Sequence, residues 1–272
     1  MVHVRPIASM EEDPHLQPYR TMRRQMEHRQ QGIFVAEGEK VVRRLLESNF
    51  IVVSLLLPEK WLRDLEPLLK NRPEEIHAYV ADKDVLETLT GFSMYQGVLA
   101  VGKIPRFASL ERILQNGQRP FLFAAVDGLT NAENLGTLVR NCAAFGVNAL
   151  LTGETSSSPF LRRAVRSSMG AIFKVPVVET SSLIKTLREL QAEGIRCIAA
   201  HPHTHRKTLA QANLAADSCI VFGSEGYGIS PGVLQACDER IAIPMASEVD
   251  SLNVGSAAAA FLYEANRQRG KA

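Results

Sequence analysis

From Pro120 to the end of the chain, short β-rich apolar runs alternate with segments of helical periodicity, and this alternation restricts the fold more than any other feature. The runs cover residues 121–126, 149–152, 175–178, 195–200, 219–222 and 240–244, and turn residues bound them. Strands that lack a polar face belong to parallel sheets covered on both sides. The segments between them supply the covers: a helix over 134–145 closed by Gly146, one over 182–193 closed by Gly194, and a long final helix over 252–269. A glycine just past a helix takes the left-handed conformation at little cost and stops it. Six strands with interleaved helices predict one α/β domain.

The first hundred residues repeat the theme on a smaller scale. A basic helix is expected near 18–31, a helix over 38–48, and strands over 33–35, 51–57, 76–80 and 97–101. Between 103 and 119 the strand pattern stops and Pro105, Asn116 and Gly117 accumulate, as in a helical or irregular connection. Domains are therefore expected at 1–103 and 118–272, joined by a linker over 104–117.

Composition acts mainly by exclusion. A length of 272 residues with 46% hydrophobic content suffices for two cores. Lys plus Arg number 31 against 29 Asp plus Glu, for a net charge of +2, so total charge points to no class of partner. Apolar runs such as 51–57 are far too short to cross a bilayer, and residues 1–5 carry no apolar signal core. Cys142, Cys197, Cys219 and Cys237 have neither paired ligand spacing nor the density of a disulfide scaffold. They are expected to be small buried hydrophobes in a soluble cytoplasmic protein.

Three turns follow strands of the second domain, where ligands bind in open α/β sheets. The first is Asp127-Gly-Leu-Thr-Asn-Ala-Glu-Asn-Leu-Gly-Thr-Leu-Val-Arg140. Leu135, Leu138, Val139 and Cys142 form its apolar stripe and Arg140 points away from it, which by itself reads as a surface arginine. The second, Val221-Phe-Gly-Ser-Glu-Gly-Tyr-Gly-Ile-Ser230, spaces its glycines G-x-x-G-x-G. That is not the dinucleotide fingerprint, and Ser224 does not sit in a nucleophile elbow, so neither a Rossmann dehydrogenase nor a serine hydrolase is supported. Gly223, Gly226 and Gly228 suit a tight turn that admits a ligand against the main chain. The third runs from Ile243-Pro-Met through Ser251-Leu-Asn-Val-Gly255 to the run Ala257-Ala-Ala-Ala260. Ser251 and Asn253 are both able to cap the final helix.

Taken together, in order and spacing, these turns resemble the three motifs of the SpoU (TrmH) branch of the SPOUT methyltransferases. Asn134-Leu-Gly-Thr-Leu-Val-Arg140 matches the first, Phe222-Gly-Ser-Glu-Gly-Tyr-Gly228 the second, and Ile243-Pro-Met245 with Ser251-Leu-Asn-Val254 the third. The stretch from Ser158 to Ala171 is similar to the family's segment between the first two motifs. The first domain, through Phe34-Val-Ala-Glu-Gly-Glu-Lys40 and Gln96-Gly-Val-Leu-Ala-Val101, resembles the substrate-binding module these enzymes often carry.

The resemblance implies an α/β-knot, a deep C-terminal trefoil knot, with a smaller N-terminal α/β RNA-binding domain and a homodimer built through the knotted domain. It implies S-adenosylmethionine as cofactor, contacted by Gly223, Ile243, Met245, Ser251, Leu252 and Asn253. The implied reaction is methylation of a ribose 2'-hydroxyl in RNA, ribosomal RNA favoured over transfer RNA. Arg140 is the implied activating residue, with Asn134, Glu225 and Asn253 in support. Arginine stays protonated in proteins, so Arg140 is expected to bind the adjacent phosphate and stabilise a developing alkoxide; whether it also takes the proton is left open. One position departs from the pattern: where the family usually has serine, this chain has Gly255, followed by Ser256.

RNA contact is expected from two basic clusters. Arg20, Arg23, Arg24 and Arg29 are opposed locally only by Glu27. Arg162, Arg163 and Arg166 lie in a stretch without acidic neighbours, with Arg162 and Arg166 on one helix face. Two other readings compete. His201-Pro-His-Thr-His205 alternates histidines like a metal-ligand set, but it lacks an acidic partner and Arg206 and Lys207 would repel a cation, so a solvated loop and no metal are expected. A non-catalytic RNA-binding protein that kept the knotted fold is the other, and the presence of Asn134, Arg140, Glu225 and Asn253 weighs against it.

Overall fold

The computed structural model describes residues 1–7, 13–22, 24–91, 97–203, 207–246 and 249–270. They divide into two units, Met1–Arg106 with Phe160–Lys174, and Phe107–Pro159 with Val175–Ala272.

The first unit contains β1 (Val2–Pro6), β2 (Ile33–Glu37), β3 (Val52–Leu57), β4 (Ile76–Val80) and β5 (Leu99–Lys103), in the sheet order β1-β4-β3-β5-β2. β4 runs parallel to β1 and β3, and β5 antiparallel to β2 and β3. β1 was not expected from the sequence. It is an edge strand whose residues are mostly exposed, so it carries no apolar run. The basic helix expected near 18–31 is broken into Gln17–Arg20 and Gln25–Gln30. Thr21 leaves helical geometry between them, its hydroxyl bonded to the Gln17 carbonyl at 2.9 Å, and this local competition for the backbone ends the turn.

Phe160–Lys174 belongs to the first unit, although the expected boundaries put it in the second domain. Its aromatic rings explain why. Phe160 and Phe173 stand 5.7 and 5.6 Å from Phe34 and 6.0 and 5.3 Å from Phe50, centroid to centroid. Such pairs add about 0.5–1.5 kcal/mol each beyond the area they bury. Arg44 Nη1 also donates to the Met169 carbonyl at 2.5 Å. The expected linker holds the helix Leu110–Asn116, which belongs to the second unit.

The second unit contains β6 (Leu122–Val126), β7 (Ala149–Thr152), β8 (Val177–Glu179), β9 (Arg196–Ala200), β10 (Ser218–Phe222) and β11 (Glu239–Ile241), all parallel, in the order β11-β9-β10-β6-β7-β8. Every residue of β6, β7 and β10 is buried, which is why their sequences are unbroken apolar runs. On one face Phe121, Phe123, Leu151 and Val221 pack with Leu183, Leu187 and Leu190 of the helix Leu183–Ala192. Each large side chain buried there contributes about 1.5–3 kcal/mol. β11 ends at Ile241, short of the expected 244; Pro244 cannot donate to a ladder.

The final helix, Val254–Gln268, packs against the helix Ala132–Ala144. Asn141 Nδ2 donates to the Gly255 carbonyl at 2.7 Å and Asn266 Nδ2 to the Phe145 carbonyl at 3.1 Å. Between β6 and β10 the chain's progression across the sheet reverses, so a crevice opens at their carboxyl ends. Among the described residues no helix is long and apolar enough to cross a membrane.

Candidate active site

The three turns meet through a chain of side chains. Asn131 caps the helix Ala132–Ala144, its carboxamide oxygen accepting from the amides of Glu133 at 2.9 Å and Asn134 at 3.1 Å. That fixes Asn134 in the first turn, where its Nδ2 donates to Glu225 Oε1 and its Oδ1 accepts from Asn253 Nδ2 at 3.0 Å. Asn253 in turn caps the final helix, accepting from the Gly255 amide at 2.9 Å. The carboxamides of Asn134 and Asn253 are each used at both ends, so these two side chains and Glu225 orient one another.

The second turn is closed on itself. Ser224 and Gly228 exchange backbone hydrogen bonds of 3.0 and 2.9 Å, and Gly228 has a positive φ of 68°. A Cβ on Gly223 would overlap the main chain of Gly228 and Ile229; only hydrogen fits there. Asp127 Oδ2 accepts from the Ser230 amide at 2.7 Å, tying the first turn to the end of the second.

Against the second and third turns lies a cavity of about 490 Å³, within the roughly 300–1,000 Å³ usual for small-molecule sites. Gly223, Ile243, Met245, Ser251, Leu252 and Asn253, the six residues expected to contact a cofactor, all line it, as does Glu225. Phe222, Val254, Ala257 and Phe261 add apolar surface and were not among the expected cofactor contacts. Among the described lining residues are the carboxylates of Glu225 and Asp250 and no lysine or arginine. These walls favour a ligand that is partly apolar and carries positive charge.

His201 and His203 also line the cavity, with ring centroids 5.8 Å apart. They were expected in a solvated loop, but they follow the carboxyl end of β9, where the strand-end rule applies to them as well. Burial, with His203 and Arg240 adjoining, holds the His201 imidazole below its usual range. His205 and Arg206 lie outside the described residues. Among those described, no group of three or more His, Cys, Asp or Glu is arranged to hold a metal.

Arg140 stands apart from its expected companions. It is exposed on the helix that carries Asn134 and does not line the cavity of its own chain. Of the basic residues, Arg162 is ion-paired with Glu37 and 13% exposed, and Arg166 contacts the same carboxylate at 3.1 Å. The absence of acidic neighbours along the sequence thus does not hold in space. Arg163 is exposed, Arg24 pairs with Glu27 at 3.3 Å, and Arg23 lies outside the described residues. Cys142, Cys197 and Cys219 are buried and Cys237 partly so, all as free thiols. Burial pushes the Cys142 thiol up to about 12, so it is inert.

Gly255 has a local reason. A Cβ there would lie 2.6 Å from Thr137 Cγ2 and 3.1 Å from Asn253 Oδ1. Gly255→Ser is therefore expected to destabilise the protein by about 1–3 kcal/mol, measured by urea unfolding, and adding Thr137→Ala should restore most of the loss. Equal stability of Gly255→Ser and the unmodified protein would show that Thr137 moves aside freely.

A family model described as the SpoU rRNA Methylase family matches residues 122–263. An uncharacterized tRNA/rRNA methyltransferase of Mycobacterium tuberculosis is 33% identical over 240 residues, 87% of this chain and 81% of that one. The 23S rRNA (guanosine-2'-O-)-methyltransferase of Neisseria meningitidis is 32% identical over 229 residues, 83% of this chain and 91% of the relative. The SpoU methyltransferase AviRb of Streptomyces viridochromogenes, solved in complex with AdoMet, superimposes with a TM-score of 0.80 at 26% identity, covering 96% of this chain and all of that one (100%). The mixed α/β architecture described above is that of these SpoU structures.

Proposed function

Because this chain belongs to the SpoU rRNA methylase family, we propose that it uses S-adenosylmethionine to methylate a ribose 2'-hydroxyl of ribosomal RNA. The observation that carries this reading is the convergence of the second and third turns on one cavity, with Asn134 of the first turn hydrogen-bonded to their Glu225 and Asn253. The cavity suits the cofactor: Ile243 and Leu252 offer apolar surface to an adenine, the Gly223 turn brings main chain close, and the acidic walls match a cationic ligand. When bound there, S-adenosylmethionine supplies an electrophilic methyl group.

The chain's own residues do the rest by positioning. Asn134 and Asn253 hold the Glu225 carboxylate in one orientation, where its remaining lone pairs accept from a ribose hydroxyl. Arg140 is the electrostatic partner for the neighbouring phosphate and the developing alkoxide. Since it lies outside its own cavity, we assign it to the cavity of a second copy, in a homodimer formed through this unit.

The same reading takes the C-terminal part of the 118–272 domain as a deep trefoil knot, supported by the likeness to solved SpoU structures. It takes the expected 1–103 segment, with Phe160–Lys174 of the same unit, as the RNA-binding domain. Exposed Arg163 and Arg166 contact the RNA backbone, assisted by Arg24 and Arg23, while Arg162 anchors their helix to Glu37. Its place of action is the cytoplasm, where ribosomal RNA is found.

The test is incubation of the purified protein with tritiated S-adenosylmethionine and unmodified 23S ribosomal or transfer RNA transcripts. Label is expected in the ribosomal RNA, in dinucleotides that resist alkali, because a methylated 2'-oxygen cannot attack its phosphate. Label in alkali-sensitive nucleotides, or in neither RNA, would sink the reading.

A further inference from the structure

Tyr227 is 98% exposed, more than any other large hydrophobic side chain among the described residues. An aromatic ring left in water is ordinary on a loose loop, but this turn is not loose. Ser224 and Gly228 bond to each other in both directions, and the Tyr227 amide donates to Ser224 Oγ at 3.2 Å. Gly223 is packed against the main chain of Gly228 so closely that no side chain fits. The backbone is therefore fixed while the ring projects from the cavity's rim, two residues from Glu225. Holding a two-torsion aromatic side chain on a rigid mount costs little conformational entropy on binding.

We infer that Tyr227 is the platform on which a base of the RNA substrate stacks, so that the attached ribose is presented to Glu225 and the cavity. The inference rests on the methyl-transfer reading above. Stacking on an aromatic ring suits any base, since every base has a π-face. Tyr227 is among the residues that line the cavity, but at 98% exposure its ring lies at the mouth, which makes it a poor partner for a buried adenine and leaves its face open to a base arriving from solvent.

Because the ring packs against nothing, Tyr227→Phe, Tyr227→Leu and Tyr227→Ala are expected to fold normally. Each is compared with the unmodified protein in methyl transfer to a 23S ribosomal RNA transcript, in retention of that transcript on filters, and in calorimetric titration with S-adenosylmethionine. Phenylalanine should keep activity within about twofold. Alanine and leucine should both raise the KM for RNA and weaken retention by roughly tenfold or more, the loss of one stacked base, leaving kcat at saturating RNA and cofactor affinity unchanged. Leucine behaving like tyrosine would overturn the proposal, because apolar area and not a π-face would be at work. Weakened cofactor binding, or conversion to a smaller species in gel filtration, would also overturn it, assigning the ring to the cofactor or to a second copy. An unmodified protein that methylates while alanine leaves KM untouched refutes this inference alone. One that neither binds nor methylates the RNA refutes both. Should it bind without methylating, the retention assay still decides the role of Tyr227 while the catalytic reading fails.

Discussion

Changing Arg140 to alanine is expected to lower kcat for methyl transfer by about 10²–10³-fold, the usual loss when a charge-stabilising group is removed from a transition state. Cofactor affinity should stay within about twofold, because the role assigned to Arg140 is toward the RNA phosphate and the developing alkoxide. Its position makes the argument sharper than the motif alone does. Leu135, Leu138, Val139 and Cys142 of the same helix are fully buried, and Arg140 is on the exposed side, so its removal leaves packing intact. Arg140→Lys keeps the charge and loses the planar fork; turnover near that of the unmodified protein in this variant would argue against bidentate phosphate binding. Subunit mixing tests where the residue acts. Equal amounts of Arg140→Ala and Asn253→Ala protein, unfolded and refolded together, should regain about a quarter of full activity if each site of a two-fold dimer draws Arg140 from the other copy. No recovery would put Arg140 at its own chain's site.

Gly223→Ala is the second large effect expected. The added methyl would overlap the main chain of Gly228 and Ile229, and backbone atoms cannot swing away as a side chain can. The turn must open, at about 1–3 kcal/mol for overpacking. For a chain of this size that corresponds to a fall in Tm of roughly 2–10 °C. Opening the turn also pulls apart the wall that Gly223 and Gly228 share with the cavity, so affinity for S-adenosylmethionine should drop by about 10–100-fold. Thermal unfolding and calorimetric titration read the two effects separately. Unchanged affinity with lowered stability would mean that the turn supports the fold and not the ligand.

Much of the second unit is legible along the chain because its strands are buried on both faces. Burial of every residue in β6, β7 and β10 forces unbroken apolar runs, and those are visible without coordinates. A capped start to the final helix was equally legible, with Ser251 and Asn253 both able to satisfy a free amide, and the structure uses Asn253. β1 was not, because a mostly exposed edge strand needs no apolar pattern.

The site divides in the same way. Glycine spacing in the second turn and the asparagines of the other two marked the residues that line the cavity or are linked at its edge, because tight turns and caps impose their residue types locally. Nothing local marked Glu37 as the partner of Arg162, a pair 125 positions apart, or His201 and His203 as cavity walls.

What the sequence by itself determined is therefore the six strands of the second unit, the helices expected to cover them and the turns that end them, since each follows from interactions among residues close in the chain. Only the tertiary structure decided that Phe160–Lys174 joins the first unit through Phe34 and Phe50, that the Asn134, Glu225 and Asn253 side chains interlock, and that Arg140 does not line the cavity of its own chain. Those outcomes depend on which distant surfaces fit against each other, and periodicity along a chain carries no record of that fit.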